Sequence, residues 1–233
     1  MANLAFNGKT MLFGGKRGYI AYDPFNPLKL PPFTMRIYFN HLDTLPPANP
    51  WYVPEGTVWT RVSVDPNVWD MYYPDPDWGG GKFSIGSVGA GEIAILGANV
   101  SNVTNFKNFT NNDGKLTDVA LFDVRNADVR EMFKGCAVLK NAPDFTICGS
   151  SIEGMFMNCF SLVNIPELIL TDAPNVDLTD AFNGCPEVEH GMYSFYNRYR
   201  DCPSHRRCFA GCGVNTMTGQ AERELIPDDW KNW

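Results

Sequence analysis

Apolar and polar positions along this chain fall into two textures that divide near residue 100. Before that point short runs alternate. Phe33-Thr-Met-Arg-Ile-Tyr-Phe39 puts apolar residues at 33, 35, 37 and 39, the one-face pattern of a strand. Val58 to Val64, Val68 to Tyr73 and Glu92 to Leu96 read as further strands, and Thr10 to Tyr22 reads as a hairpin around Gly14-Gly15-Lys16-Arg17-Gly18. Proline-rich connections separate them at 23–32 and 41–55, and Gly79-Gly80-Gly81 lies in a turn-rich loop at 74–82. After residue 100 one apolar string recurs. It reads Met132-Phe133-Lys134-Gly135-Cys136, Met155-Phe156-Met157-Asn158-Cys159, Ala181-Phe182-Asn183-Gly184-Cys185 and Cys208-Phe209-Ala210-Gly211-Cys212. A worn first copy carries Val103, Phe106, Phe109 and Asp113. Successive steps from Asp113 through the last residue of each string are 23, 23, 26 and 27 residues.

A period in the twenties is that of stacked repeats, in the range of leucine-rich repeats. Within each unit the pattern predicts a helix of about two turns. Asp128 with Glu131 and Ser150 with Glu153 have the spacing of capping boxes, echoed by Asp177 and Asp180. Each helix is expected to stop at Asn112, Gly135, Asn158, Gly184 or Gly211, because Gly and Asn accept the left-handed conformation that closes a helix. Pro143 and Pro166 bar a further helix, and Phe145 and Leu168 begin extended segments. One unit cannot bury its apolar side alone. Stacking predicts a continuous core from Met132, Phe133, Cys136, Leu139, Met155, Phe156, Cys159, Leu162, Phe182 and Cys185. Core packing is the plain reading of this pattern, ahead of any ligand role.

The expected class is therefore α+β: an N-terminal antiparallel β domain over 1–100 that caps and docks, a short irregular leucine-rich-repeat-like solenoid over 101–213, and a C-terminal cap or docking tail over 214–233. Thr218 to Leu225 reads as a short helix stopped by Pro227.

Composition narrows the function. A net charge of −7 over 233 residues argues against nucleic-acid and anionic-membrane surfaces. The residues contain no apolar run of membrane-spanning length, and Met1 to Gly18 lacks the pattern of a secretory leader. The seven cysteines all follow Glu131, and at least four recur at the repeat position, so they are expected as reduced core thiols.

Candidate chemistry is sparse. Cys202, His205, Cys208 and Cys212 offer four zinc-type ligands within eleven residues. Two of them belong to a repeat, and the spacing matches no known finger, so no metal is assigned. A cysteine nucleophile needs a histidine beside it. The chain has His41, His190 and His205, and only His205 is near a cysteine in sequence. Asp75 with Asp77, and Asp228 with Asp229, pair carboxylates as a glycosidase does, but in turn-like segments where acidic residues are ordinary. No catalytic residue and no cofactor is assigned, and an enzyme is not expected. Aromatic residues outside the repeats suit a sugar ring or a protein partner. Trp51 and Trp78, in proline-rich loops, are the positions expected to be exposed, whereas Trp59 and Trp69 are expected in the core.

The motif Met-Phe-x-Gly/Asn-Cys-x-x-Leu-x-x-x-Pro-x-Phe/Leu, written over about residues 100–212, resembles the BspA-like leucine-rich repeats of bacterial surface proteins. Pro66-Asn-Val-Trp-Asp70 and Leu96-Gly-Ala-Asn-Val-Ser-Asn-Val-Thr-Asn105 look like proteins of bacteriophages and prophages of gut bacteria, where a β-rich head precedes such repeats. The resemblance implies attachment without chemistry. The leading expectation is a non-enzymatic phage virion protein of tail, fibre or capsid surface, folded in the host cytoplasm and oligomeric. Its partners are other virion proteins, or a host-surface protein or glycan. The alternatives are a bacterial cell-surface adhesin and a polysaccharide depolymerase.

Overall fold

The structure is a computed structural model and describes residues 5–6, 9–10, 30–40, 53–62, 67–83, 85, 91–110 and 113–232. A two-stranded antiparallel pair joins β1 (Ala5–Phe6) to β2 (Lys9–Thr10). A five-stranded sheet is built from β3 (Thr34–Phe39), β4 (Val58–Arg61), β5 (Val68–Tyr72), β6 (Ile93–Asn99) and β7 (Leu116–Val119), in the order β4-β5-β3-β6-β7. Two parallel strands, β8 (Phe145–Ile147) and β9 (Leu168–Leu170), form a further small sheet. Among the described residues, helices are confined to the C-terminal part: α1 (Met192–Tyr199), α2 (Met217–Glu224) and α3 (Asp228–Lys231).

This corrects the class expected from the sequence. The large sheet is mixed, since β6 pairs antiparallel with β3 but parallel with β7. The sheets neither close nor form a solenoid, and the chain is mostly sheet with few helices. A leucine-rich-repeat-like solenoid of helix-bearing coils is not what forms. Strand β7 lies beyond residue 100, yet it completes the sheet begun by β3 to β6. The expected hairpin at 11–22 lies outside the described residues.

The backbone explains why the repeats hold no helix. Each repeat has two residues at positive φ, four apart: Glu131 (54°) and Gly135 (73°), Gly154 (60°) and Asn158 (61°), Asp180 (56°) and Gly184 (75°), Arg207 (55°) and Gly211 (63°). The second of each pair is the Gly or Asn read as a helix stop. The first interrupts the helix before it can propagate. Amide hydrogens then alternate between two destinations. Met132, Lys134 and Cys136 donate three residues back, to Val129, Glu131 and Phe133. Glu131, Phe133 and Gly135 donate instead to Glu153, Met155 and Met157 of the following repeat, at 2.7–2.9 Å. The same alternation runs from 152–158 to 177–183, and from 178–184 to 204–210. Tight turns are thus bonded face to face, and every second N–H is satisfied by a neighbouring turn.

Apolar side chains fill the interior of this stack. Phe133, Phe156, Phe182 and Phe209 lie ring over ring, with centroids 5.4, 5.5 and 5.9 Å apart and planes within 19°. One continuous core runs from Met35 through the turns to Trp230. Arg36 and Asp70, opposite each other on β3 and β5, form a two-pronged ion pair at 2.6 and 2.7 Å on the sheet.

Candidate functional site

Met132, Phe133, Cys136, Leu139, Met155, Phe156, Cys159, Leu162, Phe182 and Cys185 are all fully buried. The cysteines have a second task besides filling space. Cys136 donates its S–H to the Thr110 carbonyl at 3.2 Å, Cys159 to Phe133 at 3.1 Å and Cys185 to Phe156 at 3.1 Å. Each thiol therefore ties its own turn to the preceding one. Burial pushes the Cys136 and Cys185 thiols up to about 12, and raises Cys159, Cys208 and Cys212 well above the ordinary thiol range. A nucleophilic cysteine needs the opposite shift and access to substrate. These five have neither.

The residues Cys202, His205, Cys208 and Cys212 do not converge on a metal site. Among the described residues no group of three or more His, Cys, Asp or Glu could hold an ion. Cys208 and Cys212 face the core. The His205 ring is engaged by Cys202 through its carbonyl oxygen, not its sulfur, and by Asp229. His190 is exposed, and His41 lies outside the described residues.

The carboxylate pairs are structural. Asp75 accepts from the Asp77 N–H at 2.7 Å, and Asp77 accepts from the Gly79 N–H at 3.0 Å. Lys82, bonded to Asp77 at 2.7 Å, holds that carboxyl below its usual range. A general acid needs its carboxyl raised. Asp228 and Asp229 start α3, where negative charge suits a helix N-terminus.

Trp78 is not an exposed aromatic. It is fully buried, with Phe83, Phe106 and Phe109 at 5.2, 6.0 and 5.8 Å, and its indole N–H donates to the Tyr73 carbonyl. The large ring gains more by joining the aromatic cluster at the head of the stack than by facing water. Trp51 lies outside the described residues. Trp69 is buried, and Trp59 is partly buried against Phe39.

Two surface features went unread in the sequence. One is a column of short polar side chains, each holding a turn. Asp77, Asn105, Asp128, Ser151 and Asp177 each accept from the N–H two residues on, at 2.8–3.1 Å. Parallel bridges join Asp77 to Asn105, Asn105 to Asp128, and Ser151 to Asp177. Their spacing tracks the repeat and was available to detect. Three of these segments, at Asp128, Ser150 and Asp177, also carry the spacing of helix caps. Beside this column, a polar depression of about 490 Å³ is lined by Asn126, Asp128, Arg130, Cys148, Ser150 and Ser151. Arg130 there is committed to Asp128 at 2.6 Å.

The other feature is the outer face of β8 and β9. Phe145, Ile147, Leu168 and Leu170 point inward and are buried. Thr146 and Ile169, paired across the two strands, point outward, and half of Ile169 is open to solvent. Arg198 of α1 pairs with Glu167 at 2.7 Å beside it. This two-strand face thus carries one uncovered β-branched residue beside a charged margin. Among the described residues the geometry defines a β-rich protein with stacked, repeated turns. No family model, curated protein or solved structure matches the chain.

Proposed function

We propose that this protein is a non-enzymatic structural or attachment component of a bacteriophage particle, binding other particle proteins or a host-surface protein or glycan. The observation that carries this reading is the disposition of its reactive groups. The recurring thiols are buried, bonded to backbone carbonyls and shifted away from the thiolate. Among the described residues, the stacked turns present an outer surface available for binding. Such a surface recognises by shape and hydrogen bonding, and repetition in a symmetric assembly multiplies weak contacts. The resemblance of the Met-Phe-x-Gly/Asn-Cys motif to repeats of surface proteins points the same way.

The test is the composition of particles purified from lysates of the producing cells. A fixed copy number per particle is expected. Recovery only as a free monomer, absent from particles, would overturn the reading. The outer face of β8 and β9 provides a finer test. Ile169→Glu is expected to lower incorporation or host adsorption at least tenfold while leaving the melting temperature almost unchanged, because surface substitutions away from special features usually shift stability by within about 0.5 kcal/mol.

A further inference from the structure

The stacked turns have a direction, and their head lies one turn earlier than the recurring strings suggest. Asp77 accepts from the Gly79 N–H as Asp128 accepts from Arg130. Asp77 is bridged to Asn105 as Asn105 is to Asp128. Trp78 and Gly80 donate forward to the carbonyls of Asn105 and Lys107, at 2.9 and 2.7 Å. Gly80, at φ 76°, stands where the following turns have Asn108 and Glu131, at 58° and 54°. Gly79-Gly80-Gly81 is thus a repeat turn stripped of side chains. Gly80 and Gly81 are exposed, and a Cβ added to either would meet no atom within 4 Å. The Lys82 ammonium reaches the Asp77 carbonyl at 3.0 Å, in the place of an amide from a preceding turn.

The tail is closed differently. Phe133, Phe156 and Phe182 donate their amide hydrogens to Met155, Ala181 and Cys208 of the following repeat. Among the described residues no repeat follows Phe209, which donates to the Trp230 carbonyl at 2.9 Å. The Trp230 ring continues the aromatic column, 5.9 Å from Phe209 with planes 22° apart, and is fully buried. Helix α3 therefore stands where a further turn would stand. The tail turn has its own support from α2, because Arg223 Nη1 donates to the Phe209 and Cys212 carbonyls at 2.8 Å.

We propose that α3 is an end-stop: it fills the place of the next turn and so keeps the tail of the stack from receiving the head turn of a second copy of this chain. The two ends are complementary. The tail turn offers amide hydrogen, and the head turn offers carbonyls at the spacing by which turns join within the chain. The glycines at the head bring no side chain that would hold two copies apart. Joining tail to head is a heterologous contact, and such a contact, repeated without closing, gives an open chain of copies. Native proteins cover the open edges of hydrogen-bonded ladders against this hazard, and terminal units of stacked repeats serve the same end. Covering the tail alone is enough, because each junction needs one of each end.

The experiment uses the full chain with a protease site inserted after exposed Leu225, so that α3 is cut away only after folding. Near-ultraviolet circular dichroism checks that the cut chain stays folded, and sedimentation gives its mass. The weight-average mass of the cut chain is expected to rise at least about twofold over a roughly hundredfold range of concentration, while that of the uncut chain stays constant. Excess uncut chain has an open head and a closed tail, so it is expected to arrest the growth. Trp230→Ala in the chain without the inserted site is expected to give the same association more weakly. A folded cut chain with the mass of the uncut chain at every concentration would overturn the end-stop. Growth that uncut chain does not arrest would overturn it too, because apolar aggregation has no direction.

Discussion

A single side chain can end a sheet. Strand β9 has β8 on one edge, and on the other it meets the phenol of Tyr199. The Leu170 N–H donates to the Tyr199 hydroxyl at 3.1 Å, and that hydroxyl donates to the Leu168 carbonyl at 2.5 Å. One O–H thereby replaces a neighbouring strand over two backbone groups. Tyr199→Phe keeps the ring and strands both groups in a buried site. A loss of about 1–3 kcal/mol in denaturant unfolding is expected, and a change within error would refute this role. The repeat cysteines act on the same principle, through S–H donation to a carbonyl one turn away. Cys159→Ala removes that donor and leaves a small void, so a loss of about 1–3 kcal/mol is expected in thermal unfolding. That a cysteine recurs is plain in the residues. That its hydrogen is aimed at the preceding turn depends on two backbones lying in register.

At the scale of the element, the turn is the unit that the chain repeats. Gly184 shows how little tolerance it has. Its φ is +75°, and an added Cβ would lie 2.4 Å from Asn158 Oδ1 of the preceding turn. Both backbone strain and contact oppose any side chain there. Gly184→Ala is expected to cost about 1–3 kcal/mol, read as a lower unfolding midpoint, whereas the same change at exposed Gly114, with open space around it and no positive φ, is expected to be nearly silent. The helix reading failed here for a physical reason. Asp128 with Glu131 has the spacing of a capping box, and Gly135 suits a helix stop. Yet Glu131 is itself left-handed, and its N–H belongs to the next repeat. Helix signals assume that a segment satisfies its own amides. When a neighbour offers carbonyls at matching height, short turns satisfy the amides as well. Helix α1 is the converse case. Its N-terminus lacks a side-chain cap of its own and is covered by Glu222 of α2, whose carboxylate accepts from the Gly191 and Tyr193 amides at 3.3 and 3.0 Å. No local signal announces a cap that arrives from elsewhere in the chain.

For the whole molecule, burying many thiols in one core links stability to alkaline pH. Cys136 and Cys185 are raised from about 9 to about 12, and Cys159, Cys208 and Cys212 move the same way. Raised folded values mean that the unfolded chain releases thiol protons first. Stability is complete below the ordinary thiol value and falls as pH rises towards 12. Each fully buried thiol adds a slope of about 1.4 kcal/mol per pH unit in that window. The midpoint of urea unfolding is expected to fall steeply above pH 9, and Cys136→Ala to flatten the slope by one thiol's share. An unfolding midpoint that holds constant from pH 9 to 11 would contradict this.

Residues alone were enough to reveal that a unit recurs, which side chains it turns inward, and that Gly or Asn stands before the cysteine that closes each string. Those features follow from periodicity and from the few residues that accept positive φ. The strands between Thr34 and Asn99 were legible too, because alternation marks a half-buried strand wherever it sits. Tertiary structure decided the rest. Whether an amide bonds within its own turn or across to the next, where Trp78 goes, and which residue of β9 faces outward all depend on partners distant in sequence. The hydrophobic effect asks only that a side chain leave water; hydrogen-bond geometry between neighbouring turns determines the form in which it does so.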